Sequence, residues 1–320
     1  MLRFALMRIL YLIPVLLCVA FIVFALMDMA PGDIVATMIT DEMTQEDIDA
    51  LRAEFFLDRS LIYRFGRYII NLLRGDLGVS QISGLPIWDL FISRFPRTLQ
   101  LALLSVAVGL VIAIPLGILA AKYAGTIWDN LITGFTLIGL SMPTFWQGLL
   151  FMLWFAHNMR WFPVGYDGTF RSFILPTLVV GTSLSASICR QTRSAILEVA
   201  RQDYIRTARA KGVPELQITR RHKLRNAWIP IVTQIGMMVG FTIAGSAVVE
   251  TVFTWPGVGR MLVEAIGARD VTTATGTVIL TAIMFVLVLL IVDIVYGFVD
   301  PRIKVQFVGT RRSKRRSVRK

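Results

Sequence analysis

Long apolar runs separated by short polar segments dominate the chain. Uncharged stretches of about 17 to 26 residues recur, and about 20 residues of helix cross a hydrocarbon core. In lipid, such a run satisfies its own backbone hydrogen bonds only as a helix. The pattern predicts an all-α, polytopic membrane helical bundle with six transmembrane helices, at residues 9–29, 99–121, 131–156, 173–189, 227–249 and 274–299.

The composition agrees with a membrane protein and argues against a soluble one. Of the 320 residues, 55% are hydrophobic and only 17% are charged, and the mean hydropathy is +0.66. A soluble domain normally carries about a quarter charged residues. The net charge of +12 could also suit a nucleic-acid binder, so the position of the basic residues decides between these classes.

The basic residues predict the orientation of the chain. If the N-terminus is cytoplasmic, 22 Lys and Arg residues lie on the cytoplasmic side and 11 on the other. Cytoplasmic loops of membrane proteins carry such an excess. We therefore expect a multi-pass protein of a bacterial or archaeal cytoplasmic (inner) membrane, with both termini in the cytoplasm.

The segment at 31–98 is too long and too patterned for a simple loop. Thr44 and Asp47 resemble a capping box at the start of a helix. A second amphipathic stretch ends at Gly75 and has one apolar face, formed by Leu61, Phe65, Tyr68, Ile69 and Leu72. These patterns predict a small helical extracytoplasmic segment that rests on the outer membrane surface.

Prolines are expected to interrupt four of the spans. Pro115, Pro143, Pro176 and Pro230 lie in the second, third, fourth and fifth predicted spans, with glycines nearby. Proline kinks and small residues permit close helix contacts and movement in membranes. Together they favour a moving bundle over a static anchor.

Residues for covalent chemistry are hard to find. The chain has no H-E-x-x-H, no G-x-S-x-G and no Walker loop for nucleotide phosphates. His157 and His222 fall on opposite sides of the membrane and cannot share a metal ion. Asp28, Glu250 and Asp293 lie near span ends, where they do not favour ion coupling. We expect no enzyme activity, no metal site and no cofactor bound by this chain.

The most informative segment is the basic loop at 190–226. One helix would place Ile196, Ala200, Tyr204 and Ala208 at i, i+4 spacing, with the small Ala208 allowing a partner to approach closely. Gly212 can supply the positive φ that ends a helix, and the next helix would begin near Pro214. The pattern predicts a helix–Gly–helix elbow just under the membrane.

Three interpretations of this elbow compete. The positive-inside rule explains its arginines but not the small residues around Gly212. A DNA-reading helix-turn-helix is possible, yet spans at both ends would keep it out of a major groove. The third interpretation is a docking surface for another protein.

The elbow and other motifs resemble a known family. YIRTARAKG (204–212) and LRNAWIP (224–230) are similar to the "EAA" loop of binding-protein-dependent ABC importer permeases, in particular the dipeptide/oligopeptide/nickel branch. The match continues in APGD (30–33), LLRGDLG (72–78), RFPRTL (94–99), IPLG (114–117), ETVFTWPGVG (250–259), VDIVY (292–296) and DPR (300–302). Arg206 replaces the initial glutamate of the general loop, so that glutamate's role does not carry over.

The resemblance implies a type I ABC importer-like fold and the first permease of a heteromeric pair. Its expected partners are a second homologous permease, two ABC ATPase subunits that carry ATP and magnesium, an extracytoplasmic solute-binding protein and the lipid bilayer, with no nucleic acid. Peptides are the first expected substrates, with nickel chelates, glutathione or opines as alternatives. A membrane-anchored receptor or regulator is the lower-ranked alternative. The resemblance assigns ATPase coupling to Tyr204, Thr207, Ala208, Ala210, Gly212 and Glu215.

Four regions follow from these patterns. We expect an N-terminal transmembrane helix at 1–30, the extracytoplasmic segment at 31–98, and a permease core at 99–299 with a coupling loop at 190–226. A basic cytoplasmic tail follows at 300–320.

Overall fold

The computed structural model describes residues 2–29, 35, 39 and 43–299, and the regular elements in that part are helices. The predicted all-α class is therefore confirmed. The basic tail at 300–320 and most of the linker at 30–42 lie outside the described residues.

The α-helices are α1 (Leu2–Met29), α2 (Gln45–Glu54), α3 (Leu61–Leu73), α4 (Ile87–Lys122), α5 (Ile127–Ser141), α6 (Thr144–Phe151), α7 (Arg171–Ala200), α8 (Asp203–Ala210), α9 (Glu215–Gln217), α10 (Leu224–Gly245), α11 (Ala247–Val252), α12 (Val258–Gly267) and α13 (Val271–Val299). Two π-helical segments, Met152–Asn158 and Ile218–Lys223, follow α6 and α9.

Several helices are long and apolar enough to cross a membrane. α4, α7 and the first 22 residues of α13 meet that condition alone. Two bent pairs meet it together, and this gives three to five spans by length and composition. One pair is α5 with α6 and its π-helical extension; the other is Glu215–Trp228 with Pro230–Gly245. Ile13–Met29 is a shorter apolar helix, so the total of six stays a prediction.

Two of the four prolines coincide with bends of more than 40° in the spans. The third predicted span bends by 96° before Pro143, because Met142 takes the extended conformation (ψ 122°) that a following proline favours. The fifth bends by 49° before Pro230. Pro115 and Pro176 lie within the continuous helices α4 and α7, so the interruptions expected there are wrong. Membrane helices tolerate proline where neighbouring groups satisfy the freed carbonyl.

The chain forms two compact units, of which the first comprises Met1–Leu101, Pro163–Ser172 and Ile243–Val286. The predicted capping box at the start of α2 is present, with the Thr44 N–H donating to Asp47 at 2.9 Å. The apolar face predicted for α3 also exists. It packs against Ala20 and Phe24 of α1 and Ile279 of α13, so the chain's own helices cover this face.

The second unit comprises Ala102–Phe162, Phe173–Thr242 and Leu287–Lys320. Here α4 and α7 approach closely at small residues: a Cβ atom on Gly117 would lie 2.6 Å from Thr192 Cβ. Arg193 of α7 donates two hydrogen bonds to the buried Asp129 of α5, at 2.7 and 2.6 Å. These contacts fix the end of α7, from which the elbow continues.

Candidate coupling elbow

The elbow consists of α8, the turn at 211–214, α9 and the π-helical segment Ile218–Lys223. α7 ends at Ala200 and α8 begins at Asp203, because Gln202 takes an extended conformation (ψ 146°) that stops the helical hydrogen-bond ladder. Tyr204 and Ala208 therefore lie on a different helix from Ile196 and Ala200, and the single stripe predicted for these four residues is wrong.

Gly212 closes α8 with a Schellman motif. Its N–H donates to the Arg209 carbonyl at 2.9 Å, and the Val213 N–H donates to the Ala208 carbonyl at 3.2 Å. Gly212 has φ of +73°, which confirms the predicted positive φ. No atom lies within 4 Å of where its Cβ would stand, so the need for glycine is conformational rather than steric.

A small apolar core holds the two arms of the elbow together. Ile205 and Ala208 of α8 pack with Ile218, and Val199 and Val213 surround them. Ala208 is buried, which contradicts the expectation that it faces a partner. Its small side chain instead admits Ile218 from the other arm.

A charged cluster also joins the arms. Glu215 accepts hydrogen bonds from Arg209 Nη2 at 3.1 Å and Nε at 3.2 Å, and it pairs with Lys223 Nζ. The hydrogen bonds with Glu215 raise the pKa of Arg209 above its ordinary value. Lys223 is buried, whereas the Glu215 side chain is 53% exposed. Sequence reasoning selected Glu215 but missed Lys223, because spacing alone did not show that the helices bring them together.

The outer face of α8 carries the remaining predicted coupling residues. Tyr204, Thr207 and Ala210 are exposed, and Tyr204 shows 45% of its surface. Thr207 Oγ1 donates back to the Asp203 carbonyl at 3.0 Å, so this hydroxyl group is already paired within α8. Leu216 of α9 is 66% exposed. The elbow therefore presents a short surface of small and apolar groups between arginines.

A second arrangement, in the other unit, was missed at the sequence level. Glu250 is fully buried and accepts from Thr98 Oγ1 and Ser246 Oγ at 2.8 Å each and from the Arg260 N–H at 3.0 Å. A Cβ atom on Gly257 would lie 2.4 Å from this carboxylate. We call these five residues the Glu250 cluster. It joins the quoted motifs at 94–99 and 250–259, which are far apart in sequence.

The loop beside the Glu250 cluster is closed by aromatic packing. Trp255 is fully buried, and its Nε1–H donates to the Arg97 carbonyl at 3.1 Å. The ring of Tyr166 meets it edge-on at 4.9 Å. The cluster and these rings hold this loop against residues 97–98 of α4.

Comparison with known families covers nearly the whole chain. The family model described as "Binding-protein-dependent transport system inner membrane component" matches residues 113–305, which include the whole elbow. The chain belongs to this family. The N-terminal model of the same transport systems matches residues 1–102. The protein is thus the permease subunit of an ABC importer in the inner membrane, and the resemblance of the motifs is confirmed.

Two curated relatives are similar over almost their full length. The permease is 38% identical to the dipeptide transport system permease protein DppB of Escherichia coli (strain K12). It is 37% identical to the glutathione transport system permease protein GsiC of the same strain. Both matches cover 95% of this chain and 99% of the relative.

Solved structures support the fold. The MetNI methionine ABC transporter in inward-facing conformations matches with a TM-score of 0.57 and 21% identity, over 67% of this chain and 97% of that one. An amino acid ABC transporter matches with a TM-score of 0.52 and 17% identity, over 67% and 94%. These similarities confirm the type I importer-like fold of the permease.

Proposed function

We propose that the permease imports short peptides, with dipeptides as the main substrates. The observation that carries this proposal is the near full-length similarity to a dipeptide permease and a glutathione permease. Glutathione is itself a tripeptide, so the two relatives share a substrate class. Glutathione is the second candidate substrate on the same ground.

The proposed energy source is ATP hydrolysis by separate ATPase subunits, which would hold the nucleotide and magnesium. The chain has no phosphate-binding Walker loop of its own. We place the contact with an ATPase on the exposed face of α8, formed by Tyr204, Thr207 and Ala210. Ala208, Gly212 and Glu215 act indirectly, because they hold the two arms of the elbow in position.

The proposed complex contains a second homologous permease and an extracytoplasmic solute-binding protein. Two permeases would enclose the pathway, and the binding protein would deliver the peptide. In this arrangement both termini and the elbow are cytoplasmic, as the 22 to 11 distribution of basic residues favours.

Uptake by the reconstituted complex tests the substrate class. The full-length permease, co-expressed with the ATPase, second-permease and binding-protein subunits of its own source, is reconstituted in proteoliposomes with ATP inside or absent. We expect a labelled dipeptide to accumulate only with ATP, and excess unlabelled dipeptide to compete better than glutathione. Preferential uptake of glutathione would select the second candidate, and uptake without ATP would refute the proposal.

A further inference from the structure

A cluster of basic side chains lines an open cavity in the second unit. The cavity has a volume of about 640 Å³ and is lined by Arg220, Arg221, His222, Arg225 and Trp228. Four of these five residues are basic and none is acidic. Its chemistry is therefore that of an anion site.

The arginines that line the cavity differ from Lys223 in lacking a carboxylate partner among the described residues. Lys223, in the same π-helical segment, is buried against Glu215. Arg220, Arg221 and Arg225 are exposed, and their side chains form no ion pair with a carboxylate in the described part of the chain. Within the described residues, one cation here is paired with a carboxylate and three arginines are open to an external anion.

The cavity lies at the boundary between polar and apolar sequence. After Arg225 the chain has no charged residue until Glu250, and α10 is part of a bent pair apolar enough to cross a membrane. Arg221 lies near the end of the π-helical segment, and Arg225 and Trp228 lie in the first turns of α10. All three side chains line the same cavity. Tryptophan is enriched at the level of lipid headgroups. A headgroup at this level would meet the guanidinium groups while its acyl chains continue along the apolar part of α10.

We propose that this cavity binds the phosphate headgroup of an anionic phospholipid. Basic pockets beside transmembrane helices recognise such headgroups, and juxtamembrane cations attract them. The positive-inside rule alone would distribute charge without preference for a cavity. Binding at this site would tie the second arm of the elbow to the membrane surface.

Fluorescence quenching of Trp228 tests the proposal. The full-length permease, with the subunits that co-purify with it, is placed in nanodiscs that contain phosphatidylglycerol or phosphatidylcholine with brominated acyl chains. The chain has seven tryptophans, so the Trp228 signal is the difference between the wild type and Trp228→Phe. We expect stronger quenching by phosphatidylglycerol than by phosphatidylcholine at equal lipid fraction.

A pair of variants with equal loss of charge separates a site from general charge. Each juxtamembrane cation contributes about 1 kcal/mol to the attraction of anionic lipid. Removing two of them in Arg221→Gln/Arg225→Gln should therefore weaken phosphatidylglycerol binding about 30-fold. Arg201→Gln/Arg206→Gln removes two exposed arginines that do not line the cavity and should change binding much less. The charge-preserving Arg221→Lys/Arg225→Lys should retain most of it.

Three results would overturn the proposal. Equal quenching by both lipids would show that the cavity does not select anionic headgroups. Equal weakening by both charge-removing pairs would show a general charge effect. In the third result, inorganic phosphate displaces the brominated phosphatidylglycerol and abolishes the Trp228 quenching as effectively as unlabelled phosphatidylglycerol does. That result would assign the cavity to a soluble anion. None of these results depends on peptide uptake, so the site can fail while the proposed transport function stands.

Discussion

Glu215 in the elbow and Glu250 in the other unit are held in opposite ways. Glu215 is half exposed and paired with two cations, Arg209 and Lys223. Glu250 is fully buried and held by two hydroxyl groups and a backbone N–H. The Arg209–Glu215 pair is exposed on both sides, and exposed ion pairs contribute little to stability, whereas a buried carboxylate that loses its hydrogen bonds is costly.

The contrast fits two different tasks. If the elbow transmits the motion of an ATPase, as we propose, it benefits from contacts that exchange with water at low cost. A loop that must keep one conformation benefits from a closed set of buried hydrogen bonds. We therefore interpret the Glu250 cluster as a rigid anchor and the elbow as the adaptable element. Four substitutions, in decreasing order of expected effect, test this difference.

The largest effect is expected for Glu250→Ala. The variant leaves the hydroxyl groups of Thr98 and Ser246 and the Arg260 N–H without their acceptor. Each unsatisfied buried group costs about 1–3 kcal/mol, so the unfolding temperature of the purified chain in detergent, followed by tryptophan fluorescence, should fall strongly. Glu264→Ala is the control, because Glu264 is partly exposed in its ion pairs with Arg94 and Arg260. An equal fall in both variants would contradict a rigid anchor.

Gly257→Ala should have the next largest effect. The added methyl group would stand 2.4 Å from the Glu250 carboxylate, and overpacking of this kind costs about 1–3 kcal/mol. Gly267→Ala is the matched control, since no atom lies within 4 Å of its Cβ position. The unfolding temperature should fall for Gly257→Ala and stay near that of the wild type for Gly267→Ala. An unchanged unfolding temperature for Gly257→Ala would show that the Glu250 cluster adjusts to the added methyl group at little cost.

Gly212→Val should act on the elbow through the backbone alone. A residue with a branched side chain strains the φ of +73°, at a cost of about 1–2 kcal/mol. Gly212→Asn should be milder, because asparagine tolerates this conformation better. We expect weaker co-purification of the ATPase subunits for valine than for asparagine, with normal membrane insertion of both. Equal retention of the ATPase would show that the turn geometry is unimportant.

The smallest effect on stability is expected for Arg209→Gln. This substitution removes one exposed partner of Glu215 and leaves Lys223 in place. Exposed pairs of this kind are worth about 0–1 kcal/mol, so the unfolding temperature should change little. A fall as large as that of Glu250→Ala would remove the distinction between the two glutamates.

The sequence was sufficient where local rules decide the structure. The apolar periodicity of α3, the capping box at Thr44 and the positive φ at Gly212 each depend on residues within a few positions of one another. All three are present in the structure. The motifs that carried the family resemblance were equally readable, because their order along the chain is itself the signal.

Features that depend on distant contacts were not predictable from one sequence. The burial of Ala208 results from Ile218 in the other arm, and the Glu250 cluster joins Thr98 to a motif about 150 positions later. The sequence did contain one hint for the latter, a glutamate beside an apolar run and close to Gly257. Whether a proline breaks a membrane helix also depends on neighbours that satisfy the freed carbonyl, so Pro115 and Pro176 were misjudged.

Replacement of an exposed alanine on the elbow tests the central claim most directly. Ala210 lies on the outer face of α8, and Ala50 is an exposed alanine of α2 in the other unit. Tryptophan at each position should leave the fold intact, because neither side chain is buried. For each variant, ATPase co-purification and ATP-driven dipeptide uptake in proteoliposomes are measured beside the wild type. We predict that Ala210→Trp loses most of the ATPase co-purification and most of the dipeptide uptake. Ala50→Trp should retain ATPase co-purification at the wild-type level. Full ATPase attachment and full uptake by Ala210→Trp would contradict the account.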